Sequence, residues 1–269
     1  MTTARRVLFL LTALFLYFYG SQARAATFSD LWWNPNESGW GANFIQQQDI
    51  IFVTLFLYGQ DGRPTWYVGP ATTAVTGAAT PTYTGGLYAT TGPWFGASFF
   101  NPNAVGVRQV GNITFVASNP VRGTLTYSVD GVTVVKSVQR ETWKHISLGG
   151  TYYGAVDILD GNACGLSGEL IRPFYAVQTL TATVASSGTT GSLTFSITDT
   201  AGGVAAFTGS YVQYGSLYDV SGTLTLPGAP PLTAAIRDFT ADDDGIRGNL
   251  LALVGTCTVN FRFAAVRPG

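Results

Sequence analysis

Residues Gly123–Trp143 read GTLTYSVDGVTVVKSVQRETW, and this stretch decides the fold. Leu125, Tyr127 and Val129 alternate with Thr124, Thr126 and Ser128, the period-two pattern of a strand with one apolar face. Asp130-Gly131 suits a two-residue type I′ turn, in which both central residues take positive φ. Val132–Trp143 is then the return strand. The turn sets the register: Val129 lies opposite Val132, Tyr127 opposite Val134 and Leu125 opposite Lys136. Residues two apart share a face, so Val138 and Arg140 follow Lys136 onto the apolar side. Lys136 and Arg140 therefore point inward, where a charge needs a partner or a solvated cavity. Three readings stand: an ion pair with Glu37 or an Asp of this half, an anion-binding or ligand-orienting lumen, and a bulge that turns both residues outward.

The same pattern extends outward along the chain. Ile50–Tyr58 is almost wholly apolar and too short for a membrane helix. It reads as a strand buried on both faces, or one facing the core on one side and an aromatic cover on the other. Gln48-Asp49 precedes it as a tight turn. Gln60–Pro64 follows as a hairpin loop with Asp61-Gly62 as its signal, and Thr65–Val68 returns. Residues 70–105 are rich in Gly, Thr, Pro and Ala, with a strand around Thr80–Tyr88, and Val107–Ser118 is another. Lys144–Gly150 reads as a junction. Beyond it the strands are Thr151–Val156, Tyr175–Ala185, Gly191–Thr198, Val204–Tyr214, Leu217–Leu226, Thr233–Phe239, Ile246–Val254 and Cys257–Ala265. Loops fall at Asp157–Ser167 and Asp199–Gly203. Strands spaced by about ten residues, with hairpin turns and no helical period, describe an up-and-down meander. Each half offers seven or eight, about the number that closes a small barrel. The expected fold is all-β: two consecutive small antiparallel up-and-down barrels, over 26–145 and 146–269. One larger barrel or a pair of sandwiches is the alternative.

Composition agrees. Charged residues are 11% of the 269, against an ordinary ~25%. The 14 basic and 15 acidic residues show no excess that would attract nucleic acid or an anionic membrane surface. Arg5-Arg6, the apolar Val7–Tyr19 and Ala23-Arg24-Ala25 form a signal peptide, residues 1–25, with an uncleaved anchor as the alternative. Cleavage removes Arg5, Arg6 and Arg24, so that 11 basic residues remain against 15 acidic ones. The expected location is the periplasm or the outside, with no stable membrane span after cleavage. In such a compartment Cys164 and Cys257, the two cysteines, read as a disulfide stapling the second half at its closure seam.

The run Trp32-Trp33-Asn34-Pro35-Asn36-Glu37-Ser38-Gly39-Trp40-Gly41, followed by Tyr58-Gly59-Gln60-Asp61-Gly62-Arg63-Pro64-Thr65-Trp66, resembles a segment of uncharacterised secreted proteins of proteobacteria. The pattern there is W-W-N-P-x-E-x-G-W-G, then Y-x-x-x-G-x-P-x-W. The hairpin from Gly123 to Arg140 is similar to that family's last one, so the resemblance spans about residues 31–143. It brings no activity with it. The similarity to lipocalin-like and avidin-like barrels is one of architecture, and fold does not imply function.

Catalytic groups are sparse. His145 is the sole histidine and sits in the junction, and no Gly-x-Ser-x-Gly elbow is present. One His and two bridged cysteines do not make a zinc site. No cofactor motif appears. Glu37, between Trp33 and Trp40, is the candidate general acid, because aromatic surroundings raise a carboxyl pKa. Asp242-Asp243-Asp244-Gly245 is a candidate Ca²⁺ loop or a solvated turn, and Asp157–Asn162 is a weaker one. Trp33, Trp40 and Trp66, with Lys136 and Arg140, are the candidate ligand-binding residues; alternatively the tryptophans fill a barrel core. The leading expectation is a non-catalytic exported barrel protein that binds a small molecule, a glycan or a partner protein. The alternatives are a secreted hydrolase using Glu37 and an outer-membrane barrel.

Overall fold

The computed structural model describes residues 27–159, 164, 178–187, 189–198 and 204–268. The expected signal peptide, the expected turn at Asp199–Gly203, Tyr175–Val177 and the Asp160-Gly161-Asn162 part of the weaker acidic loop lie outside the described residues. Among the described residues the elements are sixteen strands and one short 3-10 turn, Pro102–Ala104. The first half holds β1 (Asp30–Trp33), β2 (Gly41–Gln47), β3 (Ile50–Tyr58), β4 (Pro64–Ala74), β5 (Thr82–Thr91), β6 (Gly106–Asn119), β7 (Arg122–Val129) and β8 (Val132–Arg140). The second holds β9 (Gly150–Ile158), β10 (Gln178–Ser187), β11 (Thr190–Thr198), β12 (Val204–Tyr214), β13 (Leu217–Thr225), β14 (Leu232–Ala241), β15 (Gly245–Val254) and β16 (Cys257–Val266). Each set closes on itself as an antiparallel barrel, through β1–β8 and through β9–β16. Closure leaves no free strand edge to template aggregation.

The β7–β8 register is the one the turn dictates: Val129↔Val132, Tyr127↔Val134 and Leu125↔Lys136. Asp130 and Gly131 have φ of 46° and 86°, as a type I′ turn requires. Eight strands enclose a lumen about wide enough for side chains to fill. In the first barrel Trp32, Phe44 and Phe115 meet with ring centroids 4.9–5.6 Å apart, flanked by Phe28 and Tyr83. In the second, Phe195, Phe239 and Phe263 do the same at 5.8–6.1 Å.

Of the two readings of Ile50–Tyr58, the strand with one face on the core is the one observed, without a full cover on its other side. Ile51, Val53 and Leu55 are buried, but Ile50, Phe52 and Phe56 are exposed on the outer wall, so β3 is not buried on both faces. β4 runs to Ala74, past the expected end at Val68, because a register shift between Val68 and Thr73 takes up one extra residue and lets the pairing with β5 resume at Thr73. β8 ends at Arg140, short of Trp143.

One end of each barrel is closed by the same device, which the sequences of the two halves do not announce. Trp32 on β1 donates its indole N–H to the carbonyl of Phe28, four residues back (2.9 Å), and the Arg140 guanidinium lies 5.1 Å over its ring. Tyr152 on β9 donates its hydroxyl to Leu148, also four residues back (2.8 Å), and Arg267 lies 5.3 Å over that ring. Each arginine follows from its barrel's last strand and bonds backbone carbonyls just before its first: Thr27 and Ser29 for Arg140, Ser147 for Arg267.

The second barrel packs against the Arg140 end of the first. Asp30 accepts from both Ser216 N and Oγ (3.0 and 3.1 Å), Thr142 Oγ1 accepts from Gly215 N (2.8 Å), and Arg122 donates to the Tyr214 hydroxyl. Gly215, at φ +57°, is there for space as well as conformation: a Cβ would strike the Asp30 carboxylate.

Candidate functional site

The Trp-rich motif builds the opposite, free end of the first barrel. Asn34–Glu37 is a turn closed by Glu37 N→Asn34 O (3.0 Å), with Pro35 supplying the preset φ of its second position. Gly39 takes φ +111° against the Tyr58 ring, which lets Trp40 fold back onto the core. The turn returns Glu37 over the lumen mouth. There Lys136 Nζ meets Glu37 Oε2 at 2.5 Å, Trp40 Nε1 donates to the same oxygen at 3.1 Å, and Asn34 Nδ2 lies 3.4 Å from Oε1. Lys136 is also 5.7 Å from the Trp40 ring centroid. Both charges retain some water contact.

Lys136 holds the Glu37 carboxyl below the ordinary carboxylate range; partial burial opposes this, and the Trp40 N–H assists it. A carboxylate kept ionised in this way lacks the proton a general acid must give at neutral pH. The sign for stability follows. The pair's contribution is complete above the ordinary carboxyl pKa and is lost as pH falls through the lowered one. In the Lys136→Met variant the main cause disappears while burial remains, so the Glu37 pKa is expected to rise. An NMR titration of its side-chain carbonyl measures this, and an unchanged value would mean that Lys136 is not the cause.

The sequence-derived site residues do not converge. Lys136 and Trp40 meet Glu37 at the free end. Arg140 points inward, as its register requires, but at the other end, paired with Asp30 at 3.1 Å. Trp66 stands exposed on the outer wall beside Phe56, its cross-strand partner. Trp33, half-buried, alternates with the inward Trp32, and its Nε1 is buried without a hydrogen-bond partner. Asp242-Asp243-Asp244 is an exposed turn: Asp242 Oδ1 accepts from Asp244 N (3.0 Å) and Gly245 N (2.9 Å), and Asp243 lies 3.4 Å from Lys144. Among the described residues no group of three or more metal-ligating side chains gathers. Asp157 lies in β9 opposite Arg262, and His145 is exposed in the linker.

A crevice of about 120 Å³ between the barrels is lined by Val121, Leu217, Tyr218, Ile236 and Asp238, among others. Asp238 has φ +51° beside a bulge, and its carboxyl is raised by burial while Asn249, Arg140 and Arg237 oppose the shift.

The larger feature is one that sequence reasoning passed over. The connection from β5 to β6, residues 92–105, stands at the same free end as Glu37. Its Trp94, Phe95, Phe99 and Phe100 are 69%, 94%, 75% and 57% exposed. A signal was present: from Pro64 to Val107 the chain has no Asp, Glu, Lys, Arg or His, and within that span two aromatic pairs sit among Gly, Pro and Asn. Searches of protein-family models, curated proteins and solved structures gave no match to this chain. The residues alone carry the functional argument.

Proposed function

We propose that this is a non-catalytic exported binding protein whose working surface is the free end of the first barrel. The observation that carries the reading is the exposure of Trp94, Phe95, Phe99 and Phe100 on one connection. Large apolar patches on a soluble chain mark interaction sites, whereas scattered apolar residues do not. The opposite end of that barrel is covered by the second barrel, which leaves the aromatic end free to meet a partner. The disulfide between Cys164 and Cys257 and the signal-like leader support an oxidising, extracytoplasmic location.

A hydrolase built on Glu37 has less support, because Lys136 and Trp40 hold that acid ionised. So has an outer-membrane span. Such barrels are polar inside and carry an apolar band all round, whereas both interiors here are apolar and the outward residues of β7 are Thr and Ser. The test is hydrogen exchange on the protein in its exported form, with and without an envelope fraction of its source cells. Protection is expected at 92–107 and the neighbouring strand ends. Protection confined to the inter-barrel crevice, or none, would overturn the reading.

A further inference from the structure

Resting on that reading, we propose that the partner is a lipid bilayer: the β5–β6 connection inserts Trp94, Phe95, Phe99 and Phe100 into its interfacial layer and anchors the protein reversibly.

The first argument is shape. Phe95 at 94% exposure has almost no protein against it, so the tip protrudes. Its ring contact is with Trp94, itself exposed, at a centroid distance of 5.6 Å. Protein interfaces are shape-complementary, carry about one hydrogen bond per 100–200 Å², and combine their aromatic residues with Arg and a polar rim. This tip offers no ionised side chain to set a register. A fluid apolar phase makes no such demand.

The second argument is backbone satisfaction. Polar groups entering a membrane must be bonded internally. The connection does part of this itself, and the interfacial layer is wet enough to serve the remainder. Ala97 N–H donates to Trp94 (3.0 Å), Ala104 to Asn101 (3.1 Å) and Val105 to Pro102 (3.2 Å), while the Asn101 side chain accepts from Asn103 N (3.1 Å). Two small turns thus hold out the two aromatic pairs.

The third argument is charge. No Asp, Glu, Lys, Arg or His lies between Arg63 and Arg108. The charges that flank the tip are paired: Arg108 with Asp130 in a two-bond fork (2.6 and 3.0 Å), Lys136 with Glu37, and Arg63 near Asp61. The end is therefore neutral, which suits an uncharged or zwitterionic surface and asks nothing of anionic lipid. Around the tip, Val107, Val132, Val135, Tyr58 and Trp66 add exposed apolar and amphipathic side chains at the depth where aromatics settle in a bilayer interface.

The test is co-sedimentation of the exported protein with vesicles of pure phosphatidylcholine, in about 0.1 M and about 1 M salt. Binding that is independent of salt is expected, with a blue shift of tryptophan emission that Trp94→Phe reduces. Phe95→Ser should lower the partition about tenfold, since an aromatic ring moved out of water is worth more than the ~1.4 kcal/mol of one decade. Its melting temperature should not change, because the ring touches almost nothing in the fold. Binding that requires phosphatidylglycerol and vanishes in high salt would overturn the proposal, as would binding indifferent to Phe95→Ser. Self-association dispersed by Phe95→Ser, without vesicle binding, would make a second copy the occupant: the lipid then falls and the docking surface stands. If vesicles, self-association and exchange protection at 92–107 all fail, both fall.

Discussion

Arg140→Ala is expected to destabilise the first barrel by about 3–5 kcal/mol, the usual cost of removing one member of a buried ion pair. The side chain is fully buried. Its guanidinium donates to Pro120 O (2.8 Å), Ser29 O (3.1 Å), Asp30 Oδ2 (3.1 Å) and Thr27 O, and covers the Trp32 ring. Truncation takes a donor from three carbonyls at once, leaves the Asp30 carboxylate without its cation and with only the neutral donors of Ser216 and Leu31, and opens a cavity against Trp32. Burial lowers the Arg140 pKa, yet an arginine stays charged in proteins, so the loss is not relieved by titration. Lysine does not restore it, because a point charge cannot reach four acceptors in a planar fork. All six tryptophans lie between Trp32 and Trp143. Tryptophan emission in a urea titration therefore reports the first barrel and linker alone, and its midpoint should drop by roughly 2 M. Arg267→Ala provides the comparison. That arginine performs the same closure with fewer bonds, to Ser147 O and the Tyr152 hydroxyl, from a partly exposed position. It should cost about 1–2 kcal/mol and leave the emission midpoint in place. Equal losses from the two variants would show that the buried bonds of Arg140 are not what distinguishes it.

How much of this was legible in the sequence depends on the kind of constraint. Asp130-Gly131 permits one turn geometry, and that turn fixes every pairing of β7 with β8, including the inward placement of Lys136 and Arg140. Local chemistry dictated the answer there. Ile50–Tyr58 was different. An unbroken apolar run shows that a strand forms, but not which of its faces finds a cover, because the cover is supplied by distant segments. Phe52 and Phe56 found none. The paired closure device was hidden for another reason. One half uses a Trp and the other a Tyr, and the spacings to Arg140 and Arg267 differ, so the geometry repeats where the residues do not. The placement of the candidate site residues depends on tertiary structure in the same sense. Five residues were grouped because they are chemically suited to a ligand, but two ends of a barrel and its outer wall separate them. Trp94, Phe95, Phe99 and Phe100 sit in a stretch whose Gly, Pro and Thr say only that no regular element forms. That they protrude is a property of the barrel's rim.

Loss of the Cys164–Cys257 bridge, in the Cys164→Ser/Cys257→Ser variant, should destabilise the second barrel by as much as about 4–5 kcal/mol in the chain-entropy account. The bridge encloses a sequence separation of 93 residues, with Cα atoms 5.5 Å apart. The enclosed chain includes β10 to β15, and the two seam strands, β9 and β16 beyond Cys257, lie outside the loop. Closure of the barrel rests on β9 meeting β16, the pairing of greatest sequence separation in this half. It runs from Phe261↔Ile158 to Val266↔Tyr153, and Leu159 N adds a bond to Asn260 O (2.9 Å). Cys257 lies beyond the end of that ladder, so the disulfide ties the seam where strand pairing stops. Without it the unfolded chain regains the freedom of a long loop, and the seam frays from the rim. The second barrel has no tryptophan, so the loss should appear as an early step in far-UV circular dichroism that tryptophan emission does not follow. The wild-type protein under a strong reductant should behave as the variant does. A shift below about 1 kcal/mol would place most of the seam's strength in the β9–β16 ladder. An emission midpoint that moves together with the dichroism would mean that the two barrels unfold as one cooperative unit, coupled through Asp30, Ser216 and Gly215.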